Sequence, residues 1–266
     1  MSSESLLSQH REEDATAASH TSTMEARSEH QKTKMYGTIY SFTTSLGVGL
    51  LMMVLFWILH YRGGFAWHSN PAQQFYWHPF LLVLGMVFLY SQSILVYRTG
   101  RSVQKKKLKL LHGALHLLAF ILSVIGLKAV FDFHNLSATP IANLYTMHSW
   151  IGLITVIIFA LQFFFGFISF LYPGISMTLR RAIMPIHIVV GTLTFVLAII
   201  CVLTGLTEKA LWTLKNYADF PAEGFVYNFI GLITIFYGLL VLYLVGEASY
   251  KRSPLPEDEV VLSMSD

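Results

Sequence analysis

Four histidines stand where long apolar runs begin: His78, His112, His148 and His187. A histidine inside a membrane span is costly and is by default a functional residue. Neutral imidazole is a good axial ligand for haem iron. Two histidines on facing helices at one depth can clamp one haem between them, as bundle cores do. His116 follows His112 by four residues and therefore shares its helix face. Such a pair can also hold zinc, and periodicity alone does not decide which of the two is a ligand.

The elements that must position these side chains are helices in a membrane. The chain has 266 residues, of which 54% are hydrophobic and 12% charged; a soluble domain carries about 25% charge. A span needs about 20 apolar residues, and six runs qualify: 39–59, 78–96, 110–131, 148–171, 183–206 and 225–245. An open sheet would leave backbone groups unpaired in lipid. The expected fold is an all-α membrane protein, a six-transmembrane-helix bundle spanning 36–250. Residues 1–35, rich in Ser, Thr and Glu, read as a disordered tail that holds solvated His10, His20 and His30. Residues 251–266 read as a second tail. The first span is too long for a signal-peptide core and reads as a retained anchor. The one cysteine, Cys201, excludes an intrachain disulfide, and no CxxCH offers covalent haem attachment. The net charge of +3 gives no sign of nucleic acid as a partner.

Basic residues set the orientation. Arg27, Lys32 and Lys34 precede span one; Arg98, Arg101, Lys105, Lys106, Lys107 and Lys109 lie between spans two and three; Arg180 and Arg181 follow span four; Lys251 and Arg252 follow span six. The remaining loops hold only Arg62, Lys128, Lys209 and Lys215. Both termini are therefore expected in the cytosol, and Asn135-Leu136-Ser137 is a sequon on the luminal side. This orientation puts His78 and His148 at luminal depth and His112 and His187 at cytosolic depth. Two haems held so would lie very roughly 20 Å apart along the helices. Trp57, Trp67, Trp77, Trp150 and Trp212 fall near span ends and suit an aromatic belt. Gly113, Gly126, Gly152 and Gly166 lie within spans and suit close approach of helices or haem. His68 reads as a loop residue.

The alternative is a histidine-lined zinc or proton-coupled metal transporter without haem. It would need ionisable groups near the midplane and broken helices. No nucleotide fingerprint or soluble domain for a flavin or nicotinamide is present, so the electron donor must be a small molecule or another protein.

The segments LHYRGGFAW (59–67), FYWHP (75–79), VYR (96–98), KLLHGALH (109–116), FDFHN (131–135), ANLYTMHSW (142–150), LRRAIMPIH (179–187), GLTEK (205–209) and PAEG (221–224) together resemble the cytochrome b561 family. FAW and ANLYTMHSW look most like its lysosomal or late-endosomal type. The resemblance implies two non-covalent b haems, held by His78 with His148 and by His112 with His187, and so favours His112 over His116. It implies haem contacts at Arg98, Lys105, Asn143, Leu144, Tyr145, Thr146 and Glu208, and an ascorbate site at Lys109, Arg180 and Lys105. It suggests a luminal metal or acceptor site at His60 and His134. The implied activity is electron transfer from cytosolic ascorbate to luminal ferric iron or monodehydroascorbate. Homodimers embedded in the lipid of a late-endosomal or lysosomal membrane, rather than the plasma membrane, are the expected form.

Overall fold

The computed structural model describes residues 3–67 and 69–253. His68 and the tail from residue 254 lie outside the described residues, as do the side chains of His10 and His30. Among the described residues six helices are long and apolar enough to cross a membrane. They are α1 (Ser3–Tyr61), α2 (Pro71–Thr99), α3 (Lys105–Leu136), α4 (Met147–Phe170), α5 (Met177–Thr213) and α6 (Ala222–Gly246).

Two of the helices, α2 and α4, begin at side-chain caps. The Asn70 side chain accepts from the amides of Ala72 and Gln73, and Pro71 occupies the first turn, where its missing N–H costs nothing. Thr146 and Ser149 form a reciprocal capping box at the start of α4. Helix α5 carries Pro185, which cannot donate to the carbonyl one turn before it.

The helices outrun the apolar segments. Residues 1–35, expected without structure, are helical from Ser3 onward. No glycine precedes Gly37 and no proline precedes Pro71, so nothing in the backbone interrupts the helix. Residues 14–22 of this extension are exposed. Helix α2 likewise starts seven residues before His78, and α5 ten before His187. Three of the four histidines therefore sit about two to three turns inside their helices, while His148 alone lies in a first turn.

The helices close into a ring: α1 packs on α6, α6 on α5, α5 on α4, α4 on α3 and α3 on α2. Helix α2 also reaches α1, α5 and α6, and 56% of its most apolar window is buried against 11–33% for the others, which makes it the central helix. Its Val83–Leu89 stretch is π-helical, and there a Cβ on Gly85 would sit 3.0 Å from the Ala119 carbonyl, so glycine lets α2 and α3 touch.

Several buried hydroxyl groups are paired, as an apolar surround demands. The Tyr90 hydroxyl donates to the Gly191 carbonyl at 2.8 Å. The Tyr40 hydroxyl donates to Gln92 at 2.8 Å. Ser123, Thr194 and Thr234 return their hydroxyls to carbonyls one turn back. At one end of the ring Arg62 pairs with Glu223, whose Oε1 also accepts from the Trp57 indole at 2.9 Å. Trp57 is thus 2% exposed and belongs to the core, contrary to the belt expectation. Trp150 and Trp212 do lie exposed near helix ends. Outward faces such as Ile154, Ile157, Leu161 and Phe165 on α4 are apolar and uncharged, as lipid contact requires.

Candidate functional site: two facing-histidine pairs

The ring brings the four histidines together in two pairs at opposite ends of one bundle. The His78 and His148 ring centroids are 6.0 Å apart, and those of His112 and His187 are 6.3 Å apart. Two imidazoles bound to one metal, with about 2 Å per metal–nitrogen bond and ~1.2 Å from nitrogen to ring centre, have centroids about 6.3 Å apart. Both pairs match that span. Between the pairs run 14 residues of α3 (His112 to Gly126, which abuts His78) and 18 of α5 (His187 to Gly205, which abuts His148). That is about 21–27 Å of helix, slightly more than the sequence expectation.

Backbone carbonyls orient the rings. Nδ1 of His112 lies 2.9 Å from the Ser93 carbonyl, Nδ1 of His148 lies 3.0 Å from that of Cys201, and Nδ1 of His78 lies 3.3 Å from that of Gly126. A carbonyl only accepts, so each of these rings is protonated at Nδ1 and keeps a bare lone pair on Nε2. Metal-binding histidines are held in this way, and the second partner raises their basicity. Around His187 the Gln162 amide donates to its backbone carbonyl at 2.6 Å, and Phe170 packs on the ring at 5.1 Å.

Two glycines make room for the rings. A Cβ on Gly205 would sit 2.7 Å from the His148 ring, and one on Gly166 would sit 3.0 Å from that of His187. Each lies on the helix facing its histidine. Gly152 and Gly126 do press on neighbours, Cys201 and Leu82, as expected of span glycines, whereas Gly113 faces open space.

A cavity at one end is lined by His78 and His148 together with Asn143, Leu144, Tyr145, Thr146, Glu208 and His134. Leu144 has φ 55°, sparsely populated for a residue with a Cβ, and its carbonyl accepts from the Trp150 indole at 2.8 Å. His60 is exposed on α1, where it stacks on Phe56 and meets Tyr61 edge-on. His134 lines this cavity and His60, exposed on α1, is not among its lining residues.

At the other end Lys109 donates to the Phe170 carbonyl at 3.2 Å, and Arg180 folds over Gly174 in the turn before α5. Lys105 is exposed on the first turn of α3. Among the described residues none of these three cations has an ion-pair partner, and the N-termini of α3 and α5 add partial positive charge beside them. Arg98 lies at the end of α2, beside the C-terminus of α6. It donates to the carbonyls of Val245 and Glu247, because the last carbonyls of α6 have no helical partner.

Between the pairs lies an aromatic group. Tyr90 packs on His116 at 4.6 Å, on Phe159 at 5.3 Å and on Phe195 at 6.0 Å. His116 also meets the His112 ring at 4.5 Å, and its buried Nδ1 has no hydrogen bond. Replacing an unpaired buried polar atom by an apolar group costs little. His116→Leu is therefore expected to leave the haem content of the purified protein unchanged, whereas His112→Ala is expected to reduce it; haem assayed per chain separates the two.

The Ser93, Gly126 and Cys201 carbonyls, Gly205 and Gln162 all escaped the sequence reading. Backbone acceptors carry no residue-type signal. Gly205 lies in GLTEK, but nothing in sequence places it opposite His148.

The fold and the site define a membrane helical bundle with two facing-histidine centres. The eukaryotic cytochrome b561 model matches residues 77–213, and the chain belongs to that family. It is 46% identical over 214 residues to the lysosomal membrane ascorbate-dependent ferrireductase of Homo sapiens, covering 78% of this chain and 87% of that protein. It is 40% identical over 225 residues to the transmembrane ascorbate-dependent reductase of Sus scrofa, covering 84% and 87%. It is 39% identical over 231 residues to the lysosomal ferrireductase of Danio rerio, covering 84% and 92%. Membership implies haem b, and the centroid spacing and bare Nε2 atoms above fit that group. It sets aside the metal-transporter alternative.

Proposed function

We propose that the chain is a transmembrane ascorbate-dependent reductase, with ascorbate as cytosolic donor and ferric iron as luminal acceptor. The observation that carries this reading is one pair of facing histidines at each end of a single bundle, each spaced for one iron. When bound, two b haems would supply one-electron carriers at the two depths. His78 and His148 would hold one, and His112 and His187 the other. The Ser93, Gly126 and Cys201 carbonyls hold three of these rings in the ligating tautomer. The apolar side chains of α2 and α5, with Phe159 and Tyr90 buried between the pairs, keep water out of the bundle centre.

Ascorbate is an anion at neutral pH. Lys109 and Arg180, with Lys105 at the rim, form an unpaired cationic face beside two helix N-termini, which suits such a ligand. At the opposite end Asn143, Leu144, Tyr145, Thr146 and Glu208 border the cavity, and His134 is the side chain placed to meet an arriving ferric chelate. Monodehydroascorbate would fit the same entrance. The basic loops support cytosolic termini, and the names of the human and zebrafish relatives support a late-endosomal or lysosomal membrane, where the family's members would pair as homodimers.

The test is the absorption spectrum of the purified protein before and after ascorbate, with haem measured per chain. Two haems per chain with sharp reduced bands are expected; a colourless protein, or one that ascorbate leaves oxidised, would overturn the reading. Lys109→Gln and Arg180→Gln each remove one charge-assisted contact, worth about 1.5–3 kcal/mol. Each is expected to raise the KM for ascorbate about 10-fold to 150-fold, with the dithionite-reduced spectrum unchanged.

A further inference from the structure

Lys209 lies near the end of α5 and lines the cavity of His78 and His148. Its ammonium sits 4.1 Å above the Phe75 ring and 5.3 Å from that of Tyr76, both in the turn that leads to His78. Among the described residues it has neither a hydrogen bond nor an ion pair. Two other basic side chains at this end are paired, Arg62 with Glu223 and Lys128 with Asp132. Glu223 lies within electrostatic reach of Lys209, but it makes no ion pair with it, and its Oε1 is engaged by Arg62 and Trp57. Glu208 also lines the cavity, but as the preceding residue of a helix it points about 100° away around the axis.

An ammonium half withdrawn from water among aromatic rings calls for an anion. Cation–π contact recovers only part of the lost hydration. Much of the cavity wall is apolar, with Phe75, Leu82, Val83 and Val130, and among the described residues Lys209 is the one lysine or arginine that lines it, so an anionic ligand entering it meets that charge.

We propose that Lys209 is the carboxylate-binding cation of this cavity. The carboxylate belongs either to a propionate of the haem held by His78 and His148 or to the chelate that carries ferric iron to it. The inference rests on the haem proposed at that pair.

The experiment compares wild type, Lys209→Gln and Lys209→Arg as full-length protein in liposomes, after haem per chain has been measured. Wild type without haem at this pair would mean that the proposed function fails, not the role of Lys209. If the carboxylate is a propionate, Lys209→Gln leaves its negative charge unscreened and favours ferric iron. The midpoint potential of one haem then falls without any acceptor, by about 59 mV for a tenfold change in a one-electron equilibrium, and Lys209→Arg restores it. If the carboxylate belongs to the chelate, both midpoints stay in place. The KM for ferric citrate then rises about tenfold, while reduction of hexaammineruthenium(III), a cation without carboxylates, is unchanged. Unaltered midpoints with unaltered ferric citrate kinetics overturn the proposal, as does an equal loss of rate with both acceptors. Lys209→Met keeps the stem over Phe75 and replaces the glutamine variant if that does not accumulate. If neither neutral variant accumulates, the charge serves folding alone and the proposal is overturned.

Discussion

His112→Ala and His78→Ala are each expected to yield protein with one haem per chain in place of two, and to lose a different haem. Each substitution removes one of two axial ligands and leaves the partner ring, His187 or His148, without a counterpart about 6 Å away. The remaining pair is separated by about 21–27 Å of helix, beyond the range at which substitutions normally couple. His116 does not substitute for His112. It lies one turn further along α3, buried between Tyr90 and Phe159. A redox titration of either variant should show one wave instead of two. Ascorbate-driven reduction of ferric iron across a vesicle membrane should fall to background in both. Loss of both haems from either variant, or of neither, would contradict the pairing.

Gly205→Ala is expected to damage the His78–His148 end more than Gly166→Ala damages the other. The new Cβ at Gly205 falls 2.7 Å from Cε1 and 2.9 Å from Nδ1 of His148. That ring cannot swing aside freely, because its Nδ1–H is held by the Cys201 carbonyl at 3.0 Å. The Cβ at Gly166 falls 3.0 Å from Cε1 of His187 and 3.6 Å from its Nδ1. No side-chain hydrogen bond of comparable kind pins that ring among the described residues, so a small shift can relieve the contact. Overpacking of this sort costs about 1–3 kcal/mol, which is about 5-fold to 150-fold in affinity at 1.4 kcal/mol per tenfold. Haem retained through dilution and gel filtration, together with the redox titration, would report it. Equal retention in the two variants would mean that ring mobility does not govern the difference.

Residue type and order already determined much of this protein. Six apolar runs separated by short polar loops leave a helical bundle as the arrangement that pairs every backbone group in lipid. Alternation of direction then places His78 with His148 and His112 with His187 at the two ends, since consecutive spans run oppositely. The resemblance carried by segments such as ANLYTMHSW and KLLHGALH pointed to the same pairs and to Lys109 and Arg180. The cavity does collect Asn143, Leu144, Tyr145, Thr146 and Glu208 from two separate stretches of chain.

Tertiary structure decided what residue type cannot encode. Trp57 lies close to a span end, which suggested an interfacial indole, yet Glu223 from the far end of the chain gives it a buried acceptor. Arg98 sits among basic residues at a helix end, and its guanidinium donates to the carbonyls of Val245 and Glu247 at the end of α6. Of His60 and His134, both placed toward one end by sequence, only His134 is among the residues lining the cavity of His78 and His148, while His60 stacks on Phe56. The tautomers of the histidines depend on backbone carbonyls contributed by three other helices. Periodicity in sequence gives the face of a helix, whereas the partner of that face is set by how six helices pack at once, and every one of these outcomes turns on the partner.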